Sequence, residues 1–393
     1  MSTGLDAGGS WELPQELRML RDTIRRFMAE EVRPAEDKLP HDAYTLEPGP
    51  LAEIQAKARS LGLWLFETPA EHGGAGLSLL GQCVAAEEAA QCRMGMYIAG
   101  AGAFGFDPPN VIWKGTPHQQ RFARRDVENG TKAFVAISEP GGGSDPGRAI
   151  QTRAVRKGDR YVINGTKIWI SGAGMADWGI VFARTGDVPG RGGITSFVVD
   201  KRRPGIHLSK IPVIRSYAPY EVHFQDYEVP EEDRLGEEGQ GFKLAEEWLV
   251  HARPPYAAAT IGVAQAALQI AIDWVRQRKT FGTHLADRQA IQWMIADSEI
   301  ELRAARLLVY QAAWNADLGR DIKVDASACK VYGTEVAGRV IDRCIQMLGG
   351  MGVAQELPLE RWYREARIRR IGEGPSEVHR MVVAREILGS QRS

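Results

Sequence analysis

The sequence predicts an α+β chain in three parts: an N-terminal helical domain, a central antiparallel β-barrel-like domain and a C-terminal antiparallel helical bundle. Three observations predict it. Apolar residues recur at helical spacing before residue 131 and again after residue 241. Between 132 and 240 the period falls to two, and the apolar residues are β-branched or aromatic. The last third holds long amphipathic stretches joined by short turns, the pattern of an antiparallel bundle. The expected domains are therefore 1–131, 132–240 and 241–393.

In the first part, "PQELRMLRDTIRRFMAEEVRP" places Leu17, Leu20, Ile24, Phe27 and Met28 on one helical face, and Pro34 is expected to end the helix. "EIQAKARSLGLWLF" and "LLGQCVAAEEAAQC" are two further helices, with the Gly-rich loop "TPAEHGGAGLS" between them. In the middle part, "RYVINGTKIWI" alternates on both sides of Asn164-Gly165, which predicts a two-residue hairpin turn there. "WGIVFART", "GITSFVVD" and "YEVHFQDYEVP" read as further strands. After residue 241 a long helix carries Pro254-Pro255, an expected kink. Two more helices follow, the last closing at Gly349-Gly350.

With 393 residues and 44% hydrophobic composition the chain can build a large core. A formal net charge of −1, evenly mixed, gives no reason to expect nucleic acid or a membrane surface as partner. Cys83, Cys92, Cys329 and Cys344 have neither metal-ligand nor disulfide spacing, so no metal and a cytoplasmic location are expected. The N-terminus shows no apolar signal core, and no apolar run reads as long enough for membrane insertion.

Four stretches could carry chemistry. "AFVAISEPGGGSD" (133–145) offers exposed backbone N–H groups and the hydroxyls of Ser138 and Ser144, enough to cradle a phosphate or a ring edge; a plain surface loop has the same composition. "KIWISGAGMADW" sets Trp169 and Ser171 two apart on an expected strand, an indole beside a hydroxyl. "RQRKTFGTHLADRQAIQ" brings Arg278, Phe281 and Gln289 to a Gly-marked turn between helices. In "RRIGEGPSEVHRMVVAREIL", Gly374 suits an N-cap and Pro375 the first helical position, which puts Glu377 at the third, where an acid favours the helix dipole. Glu373 lies outside that helix on a Gly-flanked joint and has no such structural task.

Taken together, "SEPGGGSD", "KIWISGAGMADW", "RQRKTFGTHL", "QMLGGMG" and "IGEGPSEVHRMVVAREIL" resemble the acyl-CoA dehydrogenase family in order and spacing. The resemblance covers nearly the whole chain and implies one FAD per subunit, an acyl-CoA substrate, a homotetramer and an electron-transfer flavoprotein as acceptor. It places the flavin ring against the 135–144 loop, with Ile137, Ser138, Gly143 and Ser144, and beside Trp169 and Ser171. Arg278, Thr280, Phe281, Gln289, Gln346, Gly349 and Gly350 would hold the ADP end from neighbouring subunits, with Pro375 and Glu377 also near the cofactor. Ser144, Arg253, Gly372 and Gly374 would face the acyl thioester and its pantetheine arm.

Glu373 matches the family's catalytic base. Some members carry the base just before the arginine of "HARPPY", but here that residue is Ala252, which cannot take a proton. The implied reaction is α,β-desaturation of an acyl-CoA: a proton moves from Cα to Glu373 and a hydride from Cβ to flavin N5. Two departures stand out. Gly372 replaces the usual aromatic before the base, and "YIAGAGAFG" (97–105) is rich in small residues, so a bulky, branched or cyclic acyl group is expected. After the base, "GPSE" replaces the more usual Gly-Thr start, and Pro375 and Glu377 stand where the family contacts the flavin. An acyl-CoA oxidase or flavin monooxygenase of the same fold using O2 is an alternative, and so is a non-catalytic flavoprotein scaffold; the near-neutral charge and the retained Glu373 weigh against the scaffold.

Overall fold

A computed structural model describes residues 12–389. The N-terminal part contains α1 (Gln15–Phe27), α2 (Arg33–Glu36), α3 (Pro48–Ser60), α4 (Leu79–Ala89) and α5 (Pro117–Asn129). Pro34 does not stop the first helix. The chain continues through a π turn at Met28–Val32, where the Arg33 N–H bonds to the Met28 carbonyl five residues back, directly into α2 with Pro34 as its second residue.

The central part holds β1 (Phe134–Ala136), the single turn α6 (Pro146–Ala149), β2 (Arg153–Lys157), β3 (Arg160–Ile170), β4 (Trp178–Arg184), β5 (Ile194–Asp200), β6 (Ile206–Lys210), β7 (Tyr220–Pro230) and β8 (Arg234–Leu235). The sheet runs β6-β7-β3-β2-β4-β5-β8, with β1 added beside β4. It is mostly antiparallel; β1 and one residue of β2 pair with β4 in parallel. The sheet rolls on itself. Tyr161 on β3 and Phe197 on β5, strands that are not neighbours, bring their ring centroids to 4.9 Å. Across the same interior the Tyr227 hydroxyl of β7 donates to the Asp200 carbonyl of β5 at 3.1 Å. The roll ends at β6 and β8 and so stays open.

The Asn164-Gly165 hairpin is not there. Both residues lie inside β3, where the pairing with β7 shifts register between Ile163 and Gly165. Asn164 instead exchanges hydrogen bonds with Asp226 on β7, and a Cβ at Gly165 would come within 2.5 Å of Thr152 Oγ1. The glycine permits a bulge and a close backbone approach; the actual β2–β3 turn uses Gly158, at φ 66°.

The C-terminal part consists of α7 (Gly241–Gln277), the two-stranded β9 (Lys279–Thr280) and β10 (Thr283–His284), α8 (Gln289–Asp317), α9 (Lys323–Leu348), α10 (Leu359–Arg369) and α11 (Ser376–Ile387). α7 continues unbroken through Pro254 and Pro255. Packing against α4, α8 and α9 outweighs the local cost of the prolines. By length and composition α7 is apolar enough to cross a membrane, contrary to the sequence reading, but its apolar residues form the bundle core. One continuous cluster joins α4, α7, α8 and α9, so the N-terminal helices and the bundle share a core.

Candidate active-site cleft

The cleft is organised by the turn between α10 and α11. Ile371 and Gly372 donate to the Ile368 carbonyl at 2.8 and 3.0 Å, and Ser376 donates to Arg370 at 3.1 Å. Glu373 itself is left-handed, with φ 56°, and Gly374 follows at φ 98°. A left-handed non-glycine residue costs energy and persists only where its surroundings hold it. Two donors hold this one. His379 Nε2 lies 3.2 Å from the Glu373 carbonyl, and Lys330 Nζ on α9 donates to the Gly374 carbonyl at 2.6 Å. A carbonyl only accepts, so His379 carries its proton on Nε2, and burial, first among several causes, lowers its pKa to about 4. No backbone acceptor takes the Glu373 N–H among the described residues.

The helix that follows starts one residue later than expected. Pro375 is the N-cap, Ser376 opens α11 and the exposed Glu377 is its second residue, making no capping bond. In this turn the left-handed residues are Glu373 and Gly374, and Gly372 is not one of them. What Gly372 provides is space, because a Cβ there would lie 2.8 Å from the Tyr256 hydroxyl of α7.

Oε2 of Glu373 is buried with no hydrogen-bond partner. Burial raises its pKa to about 7, against the opposing pull of Arg369, Arg253 and Lys330. A second acid lies within electrostatic range. Burial, then Asp107, raises the pKa of Glu67, on the loop after α3, to about 8.

Opposite elements come from the β part. Glu139 is clamped at the end of β1: its carboxylate takes the N–H groups of Gln151 and Thr152 at 2.6 and 3.0 Å and pairs with buried Lys167 at 2.8 Å. Lys167 also donates to the Ile137 carbonyl at 3.1 Å, and Ser138 accepts from Ile168 N at 2.9 Å. These bonds tie the 137–144 loop to β3. Beyond them Gly141 and Gly143 border open space, and exposed Ser144 is left-handed at φ 63°. Trp169 and Ser171 are both exposed, but not by strand alternation. β3 shifts register between Lys167 and Ile170, and Trp169 turns outward at φ 64° with 57% of its surface accessible. The Ser171 hydroxyl accepts from Arg215 Nη2 at 2.9 Å, which leaves its own proton free to donate. An outward indole, a free hydroxyl proton and an open Gly-rich loop fit the face and edge of a flavin ring.

The remaining expected cofactor residues gather at one end of the bundle. Arg278 caps α7, exposed Gln289 opens α8, and exposed Gln346, Gly349 and Gly350 close α9. Thr280 is held by Arg288, whose Nε and Nη2 donate to its hydroxyl and carbonyl at 3.2 and 2.5 Å. Phe281, at the hairpin tip, is 99% exposed and left-handed. Arg253 lies on α7 within electrostatic range of Glu373, with its Nε buried and unpartnered.

Sequence reasoning missed Arg215, Tyr256, Lys330, Arg369, His379 and Glu67, as well as the Glu139–Lys167 pair. Lys330 is 44 residues from the carbonyl it serves, and no local pattern marks such a partner. His379 was the discoverable one, six residues after Glu373 on the first turns of the following helix.

Helical, β and helical parts around a cleft with a buried carboxyl on one wall and an indole–hydroxyl pair on another define a flavin-dependent dehydrogenase. Residues 14–123, 134–227 and 239–388 match the N-terminal, middle and C-terminal domains of acyl-CoA dehydrogenase respectively. The chain belongs to the acyl-CoA dehydrogenase family. It is 36% identical over 390 residues to the short-chain specific mitochondrial acyl-CoA dehydrogenase of Mus musculus, covering 98% of this chain and 93% of the relative. It is 35% identical over 403 residues to the (R)-benzylsuccinyl-CoA dehydrogenase of Thauera aromatica, covering 98% of each. Among solved structures, butyryl-CoA dehydrogenase from Megasphaera elsdenii superimposes with a TM-score of 0.85 at 32% identity, over 96% of this chain and all of that one. A chain described under the electron transferring flavoprotein of Acidaminococcus fermentans does so with a TM-score of 0.87 at 32% identity, over 97% of this chain and all of that one. The protein is thus an FAD-dependent oxidoreductase that dehydrogenates acyl-CoA.

Proposed function

We propose that Glu373 is the base that removes the Cα proton in α,β-desaturation of the acyl-CoA. The observation that carries this reading is the buried, unpartnered Oε2 of Glu373, with a pKa near 7. A carboxylate of that pKa is basic enough to accept a proton near neutrality and still substantially ionised. Bound FAD supplies the acceptor for the hydride that leaves Cβ. The pair of electrons from the Cα–H bond forms the new double bond, and the proton rests on the Glu373 carboxylate. The free Glu373 N–H suits the thioester oxygen, where charge builds as the proton leaves. His379 and Lys330 hold the two carbonyls that set the direction of that N–H. Ser171 is placed to donate to the flavin edge and Trp169 to cover its ring.

The acyl group is read as bulky, branched or cyclic. The relative named (R)-benzylsuccinyl-CoA dehydrogenase supports this. Gly372 does not, because Tyr256 takes the space that it leaves. Nor does the small-residue segment. A Cβ at Gly100 would lie 2.5 Å from the Phe104 ring, and Ala101 and Ala103 are packed in the N-terminal core. We also propose an electron-transfer flavoprotein as acceptor, supported by the Acidaminococcus likeness, and a homotetramer, supported by the exposed apolar row Trp293, Ile300 and Leu307 along α8 together with Phe281 at the hairpin tip before it.

The test is anaerobic bleaching of the purified yellow protein with a panel of acyl-CoA thioesters. Bleaching by at least one thioester, lost in Glu373→Gln, is expected. A Glu373→Gln protein that still turns over near the wild-type rate overturns the base, and a preference for straight-chain medium acyl-CoA overturns the bulky acyl reading.

A further inference from the structure

One wall of the cleft is a run of cations and phenols. It starts at Ser171, which accepts from Arg215. The Arg215 guanidinium lies 3.7 Å from the Tyr97 ring centroid and 5.2 Å from that of Tyr217. Arg369 lies 4.6 Å from the Tyr97 centroid and 3.7 Å from that of Tyr256. The Tyr256 hydroxyl then fills the space beside Gly372, next to Glu373. The run thus joins the two sides of the cleft.

This wall has hydrogen bonds to give and too few acceptors. Nε and Nη1 of Arg215, Nε of Arg369 and the hydroxyls of Tyr97 and Tyr217 are all buried without a partner. Both arginines are more than nine-tenths buried, and neither forms an ion pair among the described residues. Guanidinium groups only donate, and buried donors left unmade cost free energy. The carboxylates in electrostatic range are Glu365 and Glu373. Glu365 is committed through Oε1 to Arg361 at 3.1 Å, and its buried Oε2, though unpartnered, forms no ion pair with Arg215 or Arg369. Glu373 faces the reacting carbon in the reading above. A hydrocarbon acyl chain offers these donors no acceptor, whereas a carboxylate brings several lone pairs and the opposite charge.

We propose that the acyl group carries its own carboxylate, bound by Arg369 and Arg215 with the Tyr97 hydroxyl. The substrate class is then the monothioester of a dicarboxylic acid, and Arg369 is a specificity-determining residue. This rests on the dehydrogenase reading, since it places the second carboxylate in the same cleft.

The experiment measures anaerobic flavin reduction of the FAD-loaded protein by pairs of thioesters of equal chain length, pentanoyl-CoA against glutaryl-CoA and their longer homologues. The dicarboxylic member of a pair should be preferred in kcat/KM by roughly 10- to 100-fold, as expected for hydrogen bonds to a charged group. Arg369→Gln should erase that ratio, Arg369→Lys should restore part of it, and Tyr97→Phe should reduce it, with flavin content per chain reporting the fold. Preference for the monocarboxylic member, or a ratio unmoved in Arg369→Gln and Tyr97→Phe, overturns this proposal and leaves the dehydrogenase reading standing. Absence of reduction by both kinds of thioester overturns both.

Discussion

His379 Nε2 lies 3.2 Å from the carbonyl oxygen of Glu373, six residues earlier in the chain. The contact ties the first turns of α11 back to the left-handed residue that precedes it. Removing it should leave the carboxyl in place but free its backbone. His379→Ala is expected to lower kcat about 10-fold or more with a smaller change in KM, because the Glu373 N–H, in the role proposed for it at the thioester oxygen, would act mainly on the transition state. Steady-state kinetics of the variant checks this.

Gly374 offers an independent approach to the same turn. Its φ of 98° disfavours any side chain, and a Cβ would lie 2.9 Å from His379 Nε2. Gly374→Ala should destabilise the protein by about 1–3 kcal/mol, read from denaturant unfolding of the FAD-loaded protein, and should reduce activity together with His379→Ala less than additively.

The pH dependence follows from Glu373. Its pKa is raised from 4.5 to about 7. As the proposed base, Glu373 is needed ionised, so kcat/KM should rise with pH and level off above about 7. Stability moves the other way: the advantage of burying the neutral acid is complete below pH 4.5 and is lost as the pH rises towards 7. Arg369 is the strongest of the charges that favour the ionised form. Arg369→Gln should therefore shift the acid limb of the kcat/KM profile to higher pH, and an unmoved limb would count against that contact.

Lys167 and Glu139 form a buried pair at 2.8 Å behind the Gly-rich loop. Burial lowers the Lys167 pKa to about 8, while Lys167 and the backbone N–H groups hold Glu139 ionised below its usual range. Lys167→Met leaves Glu139 buried and unpaired, at a cost of about 3–5 kcal/mol. The loop should loosen with it, so flavin retained per chain after gel filtration should fall. The double variant with Glu139→Gln should recover part of the loss, because no charge is then left alone.

The order helical, β, helical was legible because burial on one face imposes a period on each element, and a period is local. The same holds for α9, whose end at Gly349 is marked by the glycine itself. Asn164-Gly165 misled because the dipeptide suits any left-handed or bulged backbone, and only the pairing of β3 with β7 decides between turn and bulge. Pro34 and Pro254 misled for a related reason: the local cost of proline is a few kcal/mol, and packing in a large core exceeds it.

At the site the division is sharper. Glu373 stands out in the sequence because glycines flank it and Ala252 leaves no alternative base. Tertiary structure decided the rest. The conformation of Glu373 depends on Lys330 from another helix, its pKa on burial among Arg369, Arg253 and Lys330, and the room beside Gly372 on Tyr256 from α7. Electrostatics and steric exclusion act through space at a few ångströms, between residues tens to more than a hundred positions apart, and sequence spacing carries no record of such distances.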